Sequence, residues 1–202
     1  HSSPKPFSDR ASAVRLDGAV RLCQECGRGR THRLTRVVGG SVAGISGVRG
    51  DAVELPRQFL ENWCWQREAL DFIAGHVDSG ESRPDELLKR MLDAKNFQAG
   101  MLLLRQLEFA TFDLAIHKGT VPVDVQNTLD QVRTDIAVFI PPEFNRFQNS
   151  FSHIFAGGYA SGYYSYSWAE VLSADAFSLF EEKGIFDPET GQSFLANILE
   201  KG

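Results

Sequence analysis

Cysteine is scarce in this chain: three among 202 residues. That is too few for a disulfide framework and makes the cytoplasm the expected compartment. Long apolar runs are missing too. Nothing approaches the roughly 18 residues that cross a bilayer, and no signal-peptide core is present, so no membrane role is expected. Positive charge is in deficit, with 21 Lys and Arg against 26 Asp and Glu and a net charge of −5. That excludes the broad basic surface a nucleic-acid partner requires. The one basic cluster runs from Arg28 to Arg36. No stretch of any length alternates as a strand does, and no internal repeat is found. What is present is ordinary: 43% hydrophobic and 23% charged residues, enough to bury a core. The chain begins at His1 and stops at Lys201-Gly202, just after a helical pattern, so a fragment of a longer protein is expected.

The periodicity predicts an all-α fold. Residues 1–20 read as an irregular lead-in, with two prolines in "HSSPKPFSDRAS". Residues 13–36 form a weak helical pattern interrupted by Gly27 and Gly29. Residues 38–50 hold five glycines and read as a loop. From Asp51 the pattern strengthens. Phe59, Leu60, Trp63, Leu70 and Phe72 recur at helical spacing, with Pro56 in the first turn. Residues 83–96 and 121–139 are amphipathic, and 97–119 is so apolar that a central buried helix is expected. A glycine-tyrosine loop then leads into a helix expected to bury Tyr164, Trp168, Val171, Leu172 and Leu179 and to end at Gly184. Asp187-Pro188 caps a last helix that carries Phe194, Leu195, Ile198 and Leu199.

Three constellations carry possible chemistry. Glu25 is followed by Glu54 and Glu61, the latter two seven residues apart beside an apolar Phe59/Trp63 ridge. They read as site carboxylates or as a chance pairing on a solvated face. In "HIFAGGYASGYYSY", His153, Tyr159, Tyr163 and Tyr166 surround Gly157, Gly158 and Gly162. Glycines let a ligand approach the backbone, and phenol or imidazole groups can donate to an oxyanion. The competing reading is a tyrosine-rich helix start packed in the core. Cys23-x-x-Cys26 is half a zinc site or a redox pair, with Cys64 and His32 as its available partners. The remaining histidines read as terminal, surface or helix-end residues.

The stretches "VAGISGVRGDAVELPRQFLENWCW", "DAKNFQAGMLLLRQLEFATFDLAIH" and "FSHIFAGGYASGYYSYSWAEVLSADAFSLFEEKGIFDPETGQSFLANILEKG" together resemble the thimet oligopeptidase / oligopeptidase A family of zinc metallopeptidases. The resemblance is dense over residues 34–202 and weakens upstream of Leu34. It implies a multi-helix zincin-like fold, with residues 21–202 a partial catalytic domain from the family's C-terminal half. It also implies hydrolysis of short peptides, a Zn2+ cofactor, and a missing N-terminal portion of the same enzyme as partner. The family's zinc helix, His-Glu-Phe-Gly-His, falls on Gln24-Glu25-Cys26-Gly27-Arg28. Glu25 matches the general base and Glu54 the third zinc ligand, with Glu61 a carboxylate behind it. Tyr159, Tyr166 and His153 match residues that steady the tetrahedral intermediate. Tyr163, Gly157 and Gly158 match the loop that receives substrate.

Both histidine ligands are replaced. Gln24 is a weak neutral donor, and Arg28 keeps its charge and stands in the metal's place. Cys23, Cys26 and Arg30 occupy positions that are usually apolar in the family. Departures crowded into one segment argue against a coherent new site. The expectation is therefore a peptidase scaffold without activity. Its alternatives are a metal-free peptide-binding or functionless remnant, and a structural zinc site at Cys23/Cys26. Arg28 is expected to pair with Glu25 or Glu54 and mimic the missing cation.

Overall fold

The computed structural model describes residues 16–119 and 123–202. Those residues form helices and no strand, as an all-α fold requires. Nine α-helices follow in order among the described residues: α1 (Leu16–Leu34), α2 (Leu55–Glu61), α3 (Arg67–Ile73), α4 (Asp85–Asn96), α5 (Ala99–Lys118), α6 (Val125–Ile136), α7 (Ser152–Phe155), α8 (Ser165–Lys183) and α9 (Pro188–Phe194). A π-helical turn, Leu195–Leu199, closes the chain. Residues 16–20, expected in the lead-in, already belong to α1; the lead-in's first fifteen residues lie outside the described ones.

The chain divides into two compact units. Among the described residues one comprises 16–92 with 169–202, the other 93–119 with 123–168. In the first, α1 packs against α2. Pro56 sits in the first turn of α2, where its missing N–H costs no hydrogen bond. Leu55 and Phe59 turn into a core with Ala69, Phe177, Phe180 and Ile185. Trp63 caps this core and donates its indole N–H to the Ile185 carbonyl at 2.9 Å. The expected long helix after Pro56 is broken. A 3-10 turn at Asn62–Trp65 ends it and Gln66 is extended, so α3 starts in a new direction. Phe72, predicted to share the ridge, is 84% exposed as a result.

α8 also turns a different face inward from the one predicted. Ala169, Ser173, Phe177 and Phe180 are buried, whereas Tyr164, Trp168, Val171 and Leu179 are exposed. The wider spread of apolar residues misled the pattern, because small residues at 169 and 173 admit close packing on that side. Gly184 ends the helix at φ +116°, a value glycine reaches without strain. Asp187 caps α9 as expected, its carboxylate accepting from the Thr190 backbone N–H at 2.7 Å. The Thr190 hydroxyl, 2.6 Å away, and then that backbone bond hold the Asp187 carboxyl below the usual carboxylate range.

In the second unit α5 packs along α6 around Phe112, Leu129, Val132, Phe151 and Ile154. α5 is one-sided rather than wholly buried: Met101, Leu102, Leu103, Leu107 and Leu114 are exposed. Inside, Glu108 lies between Arg105 at 2.6 Å and Arg133 at 3.0 Å. A buried carboxylate needs such partners to remain charged.

Candidate functional site

The first cluster stands where α1 crosses α2. Gly27 makes the crossing possible. A Cβ there would fall 2.2 Å from the Pro56 carbonyl oxygen and 2.8 Å from Arg57 Cα, both backbone atoms that cannot swing aside. Gly27→Ala should therefore lose stability. Helix propensity favours Ala by about 1 kcal/mol, but overpacking costs roughly 1–3 kcal/mol or more. Gly29, on the same helix, has nothing within 4 Å of its Cβ position. Gly29→Ala should keep the propensity gain, up to about 1 kcal/mol. Paired urea denaturation curves check the opposite signs.

The close crossing brings side chains of both helices into one polar chain. Glu61 accepts from Gln24 Nε2 at 2.7 Å. Gln24 Oε1 accepts from Arg57 at 3.0 Å, and Arg57 donates to Glu54 Oε2 at 2.8 Å. The other Glu54 oxygen faces the Arg28 guanidinium at 3.6 Å, and Arg28 lies 3.8 Å from Glu25. Glu54 is buried, while Glu25 is exposed. Glu54 sits at the N-cap position of α2 but makes no side-chain cap, because its carboxylate is turned to the two arginines. Arg28, expected to pair with Glu25 or Glu54, lies beside both. Arg57 is the member that sequence reading passed over. Its signal was Glu54-x-x-Arg57 at the start of a helix, a spacing that puts opposite charges side by side.

The second cluster belongs to the other unit. α7 carries His153, and the chain turns back through Gly157 and Gly158. Gly157 has no room for a Cβ, which would meet the His153 backbone at 2.8 Å, and Gly158 has φ +83°. The turn gathers His153, Tyr159 and Tyr166: the tyrosine rings lie 4.9 Å apart and the imidazole 6.1 Å from Tyr166. Tyr163, expected to meet substrate, is a core residue instead. It is 8% exposed, and its hydroxyl donates to Gln106 Oε1 at 3.1 Å. Burial pushes its phenol pKa up, helped by neighbouring Tyr166.

The residue that organises this loop is Asp113, buried in α5. Its carboxylate accepts the backbone N–H groups of Ser161 and Tyr163, each at 2.9 Å, and lies 2.8 Å from His117 Nδ1. Ser161 stands at φ +57°, a left-handed conformation that a non-glycine residue adopts only when held. Asp113 was legible in principle, since an apolar helix with only two acidic residues, Glu108 and Asp113, announces buried carboxylates. His117, read as a helix-end residue, is its partner.

The thiols do not assemble as the zinc alternative expected. Cys64 donates to Cys23 across 3.3 Å, while Cys26 is exposed. His32 packs over Gly44. Among the described residues no group of three His, Cys, Asp or Glu side chains could hold a metal ion. The hydrogen bond from Cys64, aided by the charge of Arg30, draws the Cys23 pKa down from 9.0 to about 7, against burial and Glu61. Cys23 is thus half thiolate near neutrality, and its alkylation rate should rise with pH through a midpoint near 7. Cys64→Ala should move that midpoint upward. Iodoacetamide labelling read by peptide mass checks both.

A profile of peptidase family M3 matches residues 3–202. The chain belongs to peptidase family M3. The match continues upstream of Leu34, where the resemblance had been expected to weaken. Oligopeptidase A of Escherichia coli (strain K12) is 53% identical over 201 residues, covering 98% of this chain and 30% of that protein. Oligopeptidase A of Haemophilus influenzae is 52% identical over 200 residues, covering 98% of this chain and 29% of its own length. The probable cytosolic oligopeptidase A of Arabidopsis thaliana is 47% identical over 205 residues, again covering 98% and 29%. The M3 chain thus spans about 30% of the length of these relatives.

M3 peptidases generally use zinc, and the residues present here do not fit it. Gln24 is tied to Glu61 and Arg57, and Arg28 faces Glu54. Two guanidinium groups, 2.8 and 3.6 Å from opposite oxygens of Glu54, supply the positive charge that a divalent ion would bring. An apolar groove of 560 Å³ in the same unit, lined by Trp63, Phe186, Pro188 and Leu195, includes none of Gln24, Glu25, Arg28, Glu54 or Glu61. It reaches the α1–α2 crossing through Gly27 and Pro56 without including those polar side chains. No helix among the described residues is long and apolar enough to cross a membrane.

Proposed function

We propose that this M3 chain is a catalytically silent segment of a cytoplasmic oligopeptidase, keeping the scaffold for short peptides without the means to cleave them. The observation that carries this reading is the Arg28 guanidinium beside both Glu25 and Glu54. Glu25 is the family's general base, but a carboxylate needs an activated water to deprotonate, and a cationic side chain supplies neither a Lewis acid nor an open coordination position. Arginine also keeps its charge at every working pH, so the pairing does not dissolve near neutrality. Tyr159, Tyr166 and His153 carry donors suited to a peptide carbonyl, and Gly158, with open space at its Cβ position, leaves that loop's backbone approachable. Glu61 holds Gln24 in place as it would have held a ligand.

The test is zinc content after equilibration with Zn2+ and dialysis, together with turnover of short fluorogenic peptides, with thiols intact and blocked. Expected are less than about a tenth of a zinc per chain and no turnover above background. Near-stoichiometric zinc that survives thiol blocking, accompanied by peptide cleavage, would overturn the reading. Zinc lost on thiol blocking would transfer the metal to the cysteines.

A further inference from the structure

Cys23 lies in α1 immediately before Gln24, and Cys64 lies in the 3-10 turn that follows α2. Their sulfurs meet at 3.3 Å although 41 positions separate them in sequence. We propose that Cys23 and Cys64 form a redox-active pair, which a small-molecule disulfide oxidises to an intramolecular bond fastening α1 to the Asn62–Trp65 turn. A disulfide has sulfurs about 2.05 Å apart, so these must close by about 1.2 Å, within reach of side-chain rotation.

Burial fixes the order of events. Cys23 is half-buried and open to attack from outside, whereas Cys64 is 1% exposed. The Cys23 thiolate attacks one sulfur of the small disulfide RSSR. That S–S bond breaks and the first RS− leaves with the electron pair. Cys64 then gives up its proton to solvent, and its thiolate attacks the Cys23 sulfur, displacing the second RS−. Two protein thiols lose two electrons and two protons, and RSSR becomes two RSH. The closed loop runs through the glycine-rich 38–50 segment to α2. Oxidation therefore fixes the helix bearing Gln24, Glu25 and Arg28 against the helix bearing Glu54. This inference rests on the sulfur contact and stands whether or not the chain cleaves peptides.

The experiment equilibrates the folded chain with glutathione and its disulfide at stepped ratios, quenches in acid, blocks remaining thiols with N-ethylmaleimide and maps peptides by mass. Cys23–Cys64 should dominate, with Cys26 alkylated, and dithiothreitol should reverse it. The thermal midpoint should rise by roughly 5 °C or more on oxidation. In guanidinium the shorter loop favours Cys23–Cys26 instead, so the pair found reports the fold. Cys26→Ser should form the same bond, and Cys64→Ser should stop at a Cys23–glutathione mixed disulfide. Cys23–Cys26 as the main product under native conditions, a mixed disulfide at Cys23 in the unsubstituted chain, or no bond at the most oxidising ratio would each overturn the proposal.

Discussion

Gln24→His combined with Arg28→His should turn a chain that retains no zinc after dialysis into one that retains about one ion. The two positions are four apart on α1, so both imidazoles would share a face, and that face already looks at Glu54. Three protein ligands are what a catalytic zinc site needs, with a water in the fourth position. Neither single variant should suffice. Gln24→His alone leaves the Arg28 guanidinium 3.6 Å from the carboxylate. Arg28→His alone leaves Gln24 bound to Glu61 and Arg57. Arg57 limits even the double variant, because it donates to Glu54 at 2.8 Å and its charge repels an incoming cation. Adding Arg57→Ala should tighten zinc by roughly tenfold, the scale on which groups touching a metal ligand act. Elemental analysis gives stoichiometry, and competition with a chelating dye gives affinity. If the triple variant still holds no zinc, something beyond these three side chains blocks the site.

How much of this was readable before the structure depended on whether the information was local. Helix ends marked by chemistry were legible: Asp187-Pro188 and Gly184 act within a few residues of themselves, and both stand where they were expected. Inward faces were less so. The large apolar residues of α8 point to one face, yet Ala169 and Ser173 face inward, Ser173 accepting from the Asn62 side chain at 3.0 Å. Pairings across sequence were hardest. Gln24 to Glu61 spans 37 positions and Cys23 to Cys64 spans 41, and no periodicity encodes either. Cys64, named among the available partners of Cys23-x-x-Cys26, does reach Cys23, but Cys26 and His32 do not join it, since spacing along a helix says nothing about what a second helix brings. Gly27, by propensity alone, is a weak spot in a helix. Its role as the contact point of a crossing appears only once Pro56 is laid against it.

Asp113→Ala should be among the most damaging single changes in the second unit, with an expected loss of about 3–5 kcal/mol. The carboxylate is fully buried and accepts the N–H groups of Ser161 and Tyr163, while His117 Nδ1, 2.8 Å from it, is also hydrogen-bonded to the Asp113 backbone carbonyl. Truncation leaves those N–H groups with no acceptor in a place water does not readily reach, at about 1–3 kcal/mol for each one stranded. It also releases Ser161 from φ +57°, so the loop relaxes toward conformations that no longer hold Tyr159 and Tyr166 beside His153. Asp113→Asn separates charge from shape. Its remaining oxygen can accept one of the two backbone groups, but its NH2 meets the other donor head-on, so an intermediate loss is expected. Native-state hydrogen exchange is the sharp readout. The Ser161 and Tyr163 amides should exchange about 100-fold faster or more in Asp113→Ala, each factor of ten corresponding to about 1.4 kcal/mol. Amides in α2, in the other unit, should change far less. Unchanged protection at Ser161 and Tyr163 would mean that the glycine-tyrosine loop holds its own shape and that Asp113 is merely accommodated by it.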